Sequence, residues 1–216
     1  FLTIQSAISQ ASAPSTIRIR PGSYQGPVVL KNGVDIECDL GVSITAEINI
    51  INTYTISDGG VAATCSITGK PRVFLIEGSA PPAGACLHLS NSASSIFVDI
   101  ESLVGDTSDT DMGIFLEGGR ITGSIGSITT TTYDGIWLAA QNCSVNLEIG
   151  SISAGDNPIE VTACSASEIR AGYLSGNGIN IVAGNGEDVD VCIVSQRCVM
   201  FGQSILSTVN GGSVKA

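Results

Sequence analysis

Gly113-Ile114-Phe115-Leu116, Gly135-Ile136-Trp137-Leu138, Pro158-Ile159-Glu160-Val161, Gly178-Ile179-Asn180-Ile181 and Cys198-Val199-Met200-Phe201 repeat one phrase, an apolar-x-apolar triplet behind a punctuating residue. Their first apolar positions, 114, 136, 159, 179 and 199, are spaced by 22, 23, 20 and 20 residues. A second series runs between them: Ile96-Phe97-Val98-Asp99-Ile100, Ile121-Thr122-Gly123-Ser124-Ile125, Val145-Asn146-Leu147-Glu148-Ile149, Ser167-Glu168-Ile169-Arg170-Ala171 and Val189-Asp190-Val191-Cys192-Ile193. Apolar and polar residues alternate in it, the period of two that a half-buried strand requires. A third short element follows at Ser127-Ile128, Ser151-Ile152 and Tyr173-Leu174.

Three strands in about 22 residues leave no length for a helix, so the repeat predicts a solenoid whose equivalent strands stack in parallel at about 4.8 Å. The expected fold class is all-β, a parallel β-helix forming a single domain over 1–216: a cap over 1–15, coils over 16–206 and a polar, Gly-rich tail over 207–216. Stacking turns positions into columns. Ile114, Ile136, Ile159, Ile179 and Val199 form one inward column, and Phe115, Trp137, Glu160, Asn180 and Met200 form the outward column beside it.

Composition agrees with many short strands. Hydrophobic residues make up 43% of the chain and charged ones 13%, about half the roughly 25% usual for soluble domains. The 26 glycines suit tight turns. No apolar run approaches the ~18 residues that cross a bilayer, which argues against membrane insertion. A formal charge of -11 argues against nucleic acid, whose phosphates are held by Lys and Arg. Seven cysteines without a Cys-x-x-Cys pair argue against a zinc site and a complete disulfide framework, and for free thiols in a reducing cytoplasm. Cys143 and Cys164, one turn apart, are read either as stacked thiols or, in an oxidising compartment, as a bridge.

The opening, Phe1-Leu2-Thr3-Ile4-Gln5-Ser6-Ala7-Ile8 followed by Thr16-Ile17-Arg18-Ile19-Arg20-Pro21-Gly22-Ser23-Tyr24, resembles the start of the pectin lyase-like superfamily. In that superfamily an amphipathic helix caps a right-handed parallel β-helix and the first strand ends in a Pro-Gly-x-Tyr turn. The resemblance implies the right hand and the cap, with Ile4, Ala7 and Ile8 facing the first turn. In character the chain is closest to the β-helix domains of bacteriophage tail fibres and tailspikes. The Asn-x-Asp, Asp-Asp, Gly-His-Gly and Arg-x-Lys motifs of polygalacturonase-like enzymes are missing, as are the Arg-rich motifs of pectate lyases and pectinesterases. The single histidine, His88, reads as an ordinary strand residue in Cys86-Leu87-His88-Leu89-Ser90.

Chemistry has two columns left to it. Phe115 and Trp137, on adjacent turns, offer aromatic surface to a sugar ring, or pack under a loop or neighbouring subunit. Asp111, Asp134, Asp156 with Asn157, and Asn177 occupy the turn before that strand, where Asp and Asn commonly bond their own backbone. Carboxylates on adjacent turns also approach the ~5 Å separation of a retaining glycosidase pair. Asp134, Asp156 and Glu160 are therefore the candidate catalytic residues. No resident cofactor or metal is expected; the acidic stretch Asp106-Thr107-Ser108-Asp109-Thr110-Asp111 offers oxygen donors of the kind Ca²⁺ takes. Glu148, Arg170 and Asp190 read as a ladder of alternating charge.

Two function classes follow. The first is a structural or receptor- and glycan-binding β-helix of a virion appendage, assembled in the host cytoplasm as a homotrimer or with other appendage proteins, and meeting cell-surface polysaccharide. The missing enzyme motifs favour it. The alternatives are a glycoside hydrolase or polysaccharide lyase using Asp134, Asp156 and Glu160, and a secreted adhesin on the same scaffold.

Overall fold

The structure is a computed structural model, which describes residues 3–47, 54–76, 84–106, 111–183, 189–201, 205–209 and 214–215. It is a parallel β-solenoid: 69% of residues lie in strands, and each turn takes about 24 residues, slightly more than the 22 expected. The excess sits early, where Ile36 lies under Ile67 and Ile67 under Val98.

The only helix among the described residues, α1 (Ile4–Gln10), comes first. Thr3 starts it with a reciprocal cap: its hydroxyl accepts the Ser6 N–H at 3.0 Å, and Ser6 Oγ accepts the Thr3 N–H at 3.3 Å. Ile4, Ala7 and Ile8 are buried on one face, as the spacing predicts. Gln5 Oε1 accepts the Val29 N–H at 2.7 Å and Lys31 Nζ donates to the Ala11 carbonyl at 2.6 Å, tying the helix to the first turn.

The first turns use three separate strands each: β1 (Ser15–Ile19), β2 (Gly22–Gln25) and β3 (Val28–Val29); β4 (Val34–Cys38), β5 (Val42–Glu47) and β6 (Tyr54–Ser57); β7 (Thr64–Thr68), β8 (Arg72–Ile76) and β9 (Gly84–Leu89). From Ser95 the first two fuse. The chain then runs β10 (Ser95–Asp106), β11 (Asp111–Leu116), β12 (Gly119–Thr130), β13 (Ile136–Ala139), β14 (Cys143–Ser153), β15 (Ile159–Gly176), β16 (Ile179–Ala183), β17 (Val189–Met200), β18 (Ile205–Val209) and β19 (Val214–Lys215). Every strand pairs in parallel with its counterpart one turn away. A long, bent sheet carries the paired halves such as β10 and β12; a short sheet carries β3, β6, β9, β11, β13, the start of β15, β16 and β18.

The core is the stack of inward columns. Ile56, Leu87, Ile114, Ile136, Ile159 and Ile179 lie over one another on the short sheet, each buried. Ile96, Ile121 and Val145 do the same on the long sheet. Burying each such side chain contributes about 1.5–3 kcal/mol, so the column is the unit that stabilises neighbouring turns.

Two expected alignments are corrected. The short-sheet column continues from Ile179 to Ile205 and from Asn180 to Leu206, so Val199 and Met200 do not belong to it. They end the long-sheet strand β17, opposite Ser175 and Gly176. Likewise, Arg170 lies over Glu148 but under Val194, and Asp190 pairs with Lys215, so no three-residue charge ladder forms. Arg170 instead pairs with Glu168 of its own strand. The cause is turn length: Arg170 to Val194 spans 24 residues and Ile179 to Ile205 spans 26, where the repeat suggests 20.

Candidate functional site

The outward column of the short sheet is longer than the repeat suggests. Ser57, His88, Phe115, Trp137, Glu160 and Asn180 occupy successive turns in register. Tyr54 lays its ring on His88 at 3.8 Å between centroids, His88 stacks on Phe115 at 5.2 Å, and Phe115 on Trp137 at 4.9 Å. The four rings form one stack parallel to the solenoid axis. His88 is 5% exposed and its Nε2 lies 3.0 Å from Glu117 Oε2. Burial holds its imidazole below the usual histidine range, against the pull of Glu117.

Stacking decides what the aromatics offer. Each ring turns its faces to its neighbours and its edge outward, so Phe115 has no free face beside Trp137. At its end of the stack, Trp137 has no ring on the side directed at the next turn, where Glu160 stands. The indole Nε1 is held by Thr162 Oγ1 at 3.1 Å, which fixes the ring's tilt.

Beside Trp137, Asn157 links two of the candidate carboxylates, Asp134 and Glu160, while the third, Asp156, is bound separately. Asp134 is 1% exposed, and its Oδ1 accepts the Asn157 N–H at 3.1 Å. Asn157 Nδ2 donates to Glu160 Oε2 at 3.2 Å, and Asn180 Nδ2 reaches the same oxygen at 3.2 Å. Asp156 Oδ1 accepts from Asn177 Nδ2 at 2.8 Å. Burial, then the charge of Glu160, push the Asp134 carboxyl up to about 7, although the bonds from Asn157 oppose the rise. The Tyr133 phenol is raised by burial and then by Asp134, Glu160 and Asp156, so all four groups share one acidic environment. Asn180 Oδ1 is buried and has no hydrogen-bond partner.

Asp58 shows what full satisfaction looks like. It is as buried as Asp134, yet it accepts the N–H groups of Gly60, Ser90 and Asn91 and the Ser94 hydroxyl at 2.8–3.2 Å. Burial pushes its carboxyl up, but these donors together outweigh burial and hold it below the ordinary range. Asp134 has fewer donors and two acidic neighbours, and so keeps its proton to near neutrality.

Asp111 does structural work: Oδ2 accepts the Thr131 N–H at 3.0 Å and Oδ1 the Thr132 N–H and hydroxyl at 3.2 and 2.8 Å, holding the next turn's loop. The remainder of the acidic stretch proposed for Ca²⁺, 107–110, lies outside the described residues. Among the described residues, no three His, Cys, Asp or Glu side chains are grouped as metal ligands. All seven cysteines are free, and five are buried. Burial pushes the Cys38, Cys65 and Cys86 thiols up to about 12 and that of Cys143 to about 11.

Sequence reasoning missed His88 and Tyr54 as members of the stack. The signal was present for His88, since Leu87-His88-Leu89 has the form of Ile114-Phe115-Leu116. Tyr54 gave none, because it stacks on His88 while its register partner is Ala85. No protein-family model, no curated protein and no solved structure matches this chain.

Proposed function

We propose that this chain is a structural, glycan-contacting β-helix of a virion appendage, of the tail-fibre or tailspike kind within the pectin lyase-like superfamily, and that it works as a homotrimer meeting cell-surface polysaccharide. The observation that carries the reading is the half-buried Trp137, which ends the aromatic stack beside Glu160, Asn157 and Asn180. An aromatic face takes the C–H side of a sugar, while carboxylate and amide groups pair with its hydroxyls. The free thiols fit assembly in a reducing cytoplasm.

A second reading is favoured by the Asp134 proton. A carboxyl held to about 7 next to two further carboxylates is how a glycosidase keeps an acid and a base at one pH. Against it, Asp134 is sealed at 1% exposure behind the Asn157 amide. Binding without hydrolysis is the better-supported function.

Screening the chain against an array of bacterial surface oligosaccharides tests the proposal, with Trp137→Ala and Glu160→Gln beside the parent. Glycan capture that falls at least tenfold in both variants is expected, with no release of reducing ends. Capture of no glycan, or capture indifferent to Trp137, would sink it. Release of reducing ends that stops in Asp134→Asn would establish the second reading instead.

A further inference from the structure

The long sheet bends at a corner on which Glu101, Gly126, Gly150, Gly172 and Gln196 form a column. The flanking residues fix this register: Ile100, Ile125, Ile149 and Ala171 on one side, Ser102, Ser127, Ser151 and Tyr173 on the other. Three successive glycines leave a trough of about 620 Å³ that crosses the turns from Lys70 to Gln196. It stays open because no side chain can occupy it. A Cβ on Gly126, Gly150 or Gly172 would collide with the carbonyl oxygen of the residue one turn earlier.

One wall is polar and regular: Asp99, Ser124, Glu148 and Arg170 stand over one another in register. Ser124 Oγ donates to Asp99 Oδ1 at 2.9 Å. An adjoining depression of about 380 Å³ shares Ser124 and Glu148 and is bordered by Phe97, which is 47% exposed.

We propose that this trough is a binding site for a linear, uncharged polysaccharide lying along the solenoid axis. Its direction suits a chain, since it follows the axis over five steps between turns, ~24 Å at strand spacing. Its charge selects the class. Asp99, Glu101 and Glu148, on a protein of formal charge -11, repel a polyanion. Lys70 and Arg170 toward the two ends oppose a polycation. Hydroxyls are served by both donors and acceptors along the wall, and Phe97 supplies an apolar ring for a sugar's C–H face. The site lies on a different sheet from Trp137 and Glu160, and it stands independently of the function proposed above.

The test is electrophoresis of the chain through gels containing dextran, galactomannan, polygalacturonate or chitosan, followed by calorimetric titration of any polymer that retards it. Glu148→Trp fills the trough from an exposed position, Phe97→Ala removes the ring, and Val61→Ser, at an exposed position outside both sites, serves as the control. Retardation by a neutral polymer is expected, with affinity weakened tenfold or more by Glu148→Trp and severalfold by Phe97→Ala, and unchanged by Val61→Ser. If Glu148→Trp alters the circular dichroism spectrum, Phe97→Ala alone decides. Retardation by neither neutral polymer, retardation only by polygalacturonate or chitosan, or affinity that the trough variants leave unchanged would each overturn the proposal.

Discussion

At the scale of single residues, the protein is governed by how completely each buried polar group is satisfied. Asp134 and Asp58 make opposite predictions from the same burial. A carboxyl raised to about 7 when folded and near its ordinary value when unfolded takes up protons on folding between those values, so its contribution to stability is complete at low pH and is lost as pH rises through that window. Asp134→Asn keeps an acceptor for the Asn157 amide and removes this penalty. The variant is expected to gain on the order of 2 to 4 kcal/mol over the parent at pH 8 and nothing at pH 4, by urea unfolding at both pH values. Asp58 lies on the other side: its lowered carboxyl stabilises above the unfolded pKa and loses that contribution on acidification. Asp58→Ala strands several donors and is expected to cost about 3 kcal/mol or more at pH 7 in the same measurement. The cysteines divide by access. Titration with a thiol-specific chromophore should find Cys192 and Cys198 fast, and the five buried thiols slow until the chain is unfolded.

At the scale of elements, a column is the functional unit and its members fail together. Gly150→Ala, though small and distant from the core, drives a methyl group into the Gly126 carbonyl and is expected to cost about 1–3 kcal/mol, read as a lower unfolding midpoint. Ile136→Ala, in the core of the short sheet, is expected to cost about 2–5 kcal/mol. Much of this element structure was legible in the sequence. The triplets at Ile114, Ile136, Ile159 and Ile179 and the alternating series at Ile96, Ile121 and Val145 reveal strand, spacing and inward face directly, because each face is buried or exposed along its whole column. Two things were hidden. The turn after Ile179 takes 26 residues where the one before it takes 20, so Val199, 20 residues on, mimics the position that Ile205 occupies. The tilt of the aromatic rings depends on contacts such as Trp137 with Thr162, which no pattern in the chain encodes. For the same reason the grouping of Asp134, Asp156 and Glu160 was legible, whereas the burial of Asp134 behind Asn157 was not.

At the scale of the whole molecule, stability is a sum over neighbours, since each turn touches the ones beside it. An end turn has one neighbour only, and α1 substitutes for the other at the start by burying Ile4, Ala7 and Ile8. Deleting residues 3–10 bares the outer edges of β1, β2 and β3 and the apolar side chains under them. Concentration-dependent association of the deleted chain, seen by light scattering against a parent that keeps its mass on dilution, is the expected result.

The backbone ladders between turns run along the solenoid axis, and that gives the molecule two different mechanical responses. Pushed end to end, it loads the whole stack at once and behaves as a stiff strut. Pulled by its two chain termini, it meets the load one turn at a time, because the tension falls on the outermost strand while the rest is shielded. Force applied that way should peel the protein in successive steps of about 24 residues, so that a tethered molecule yields gradually under tension and keeps its remaining turns intact.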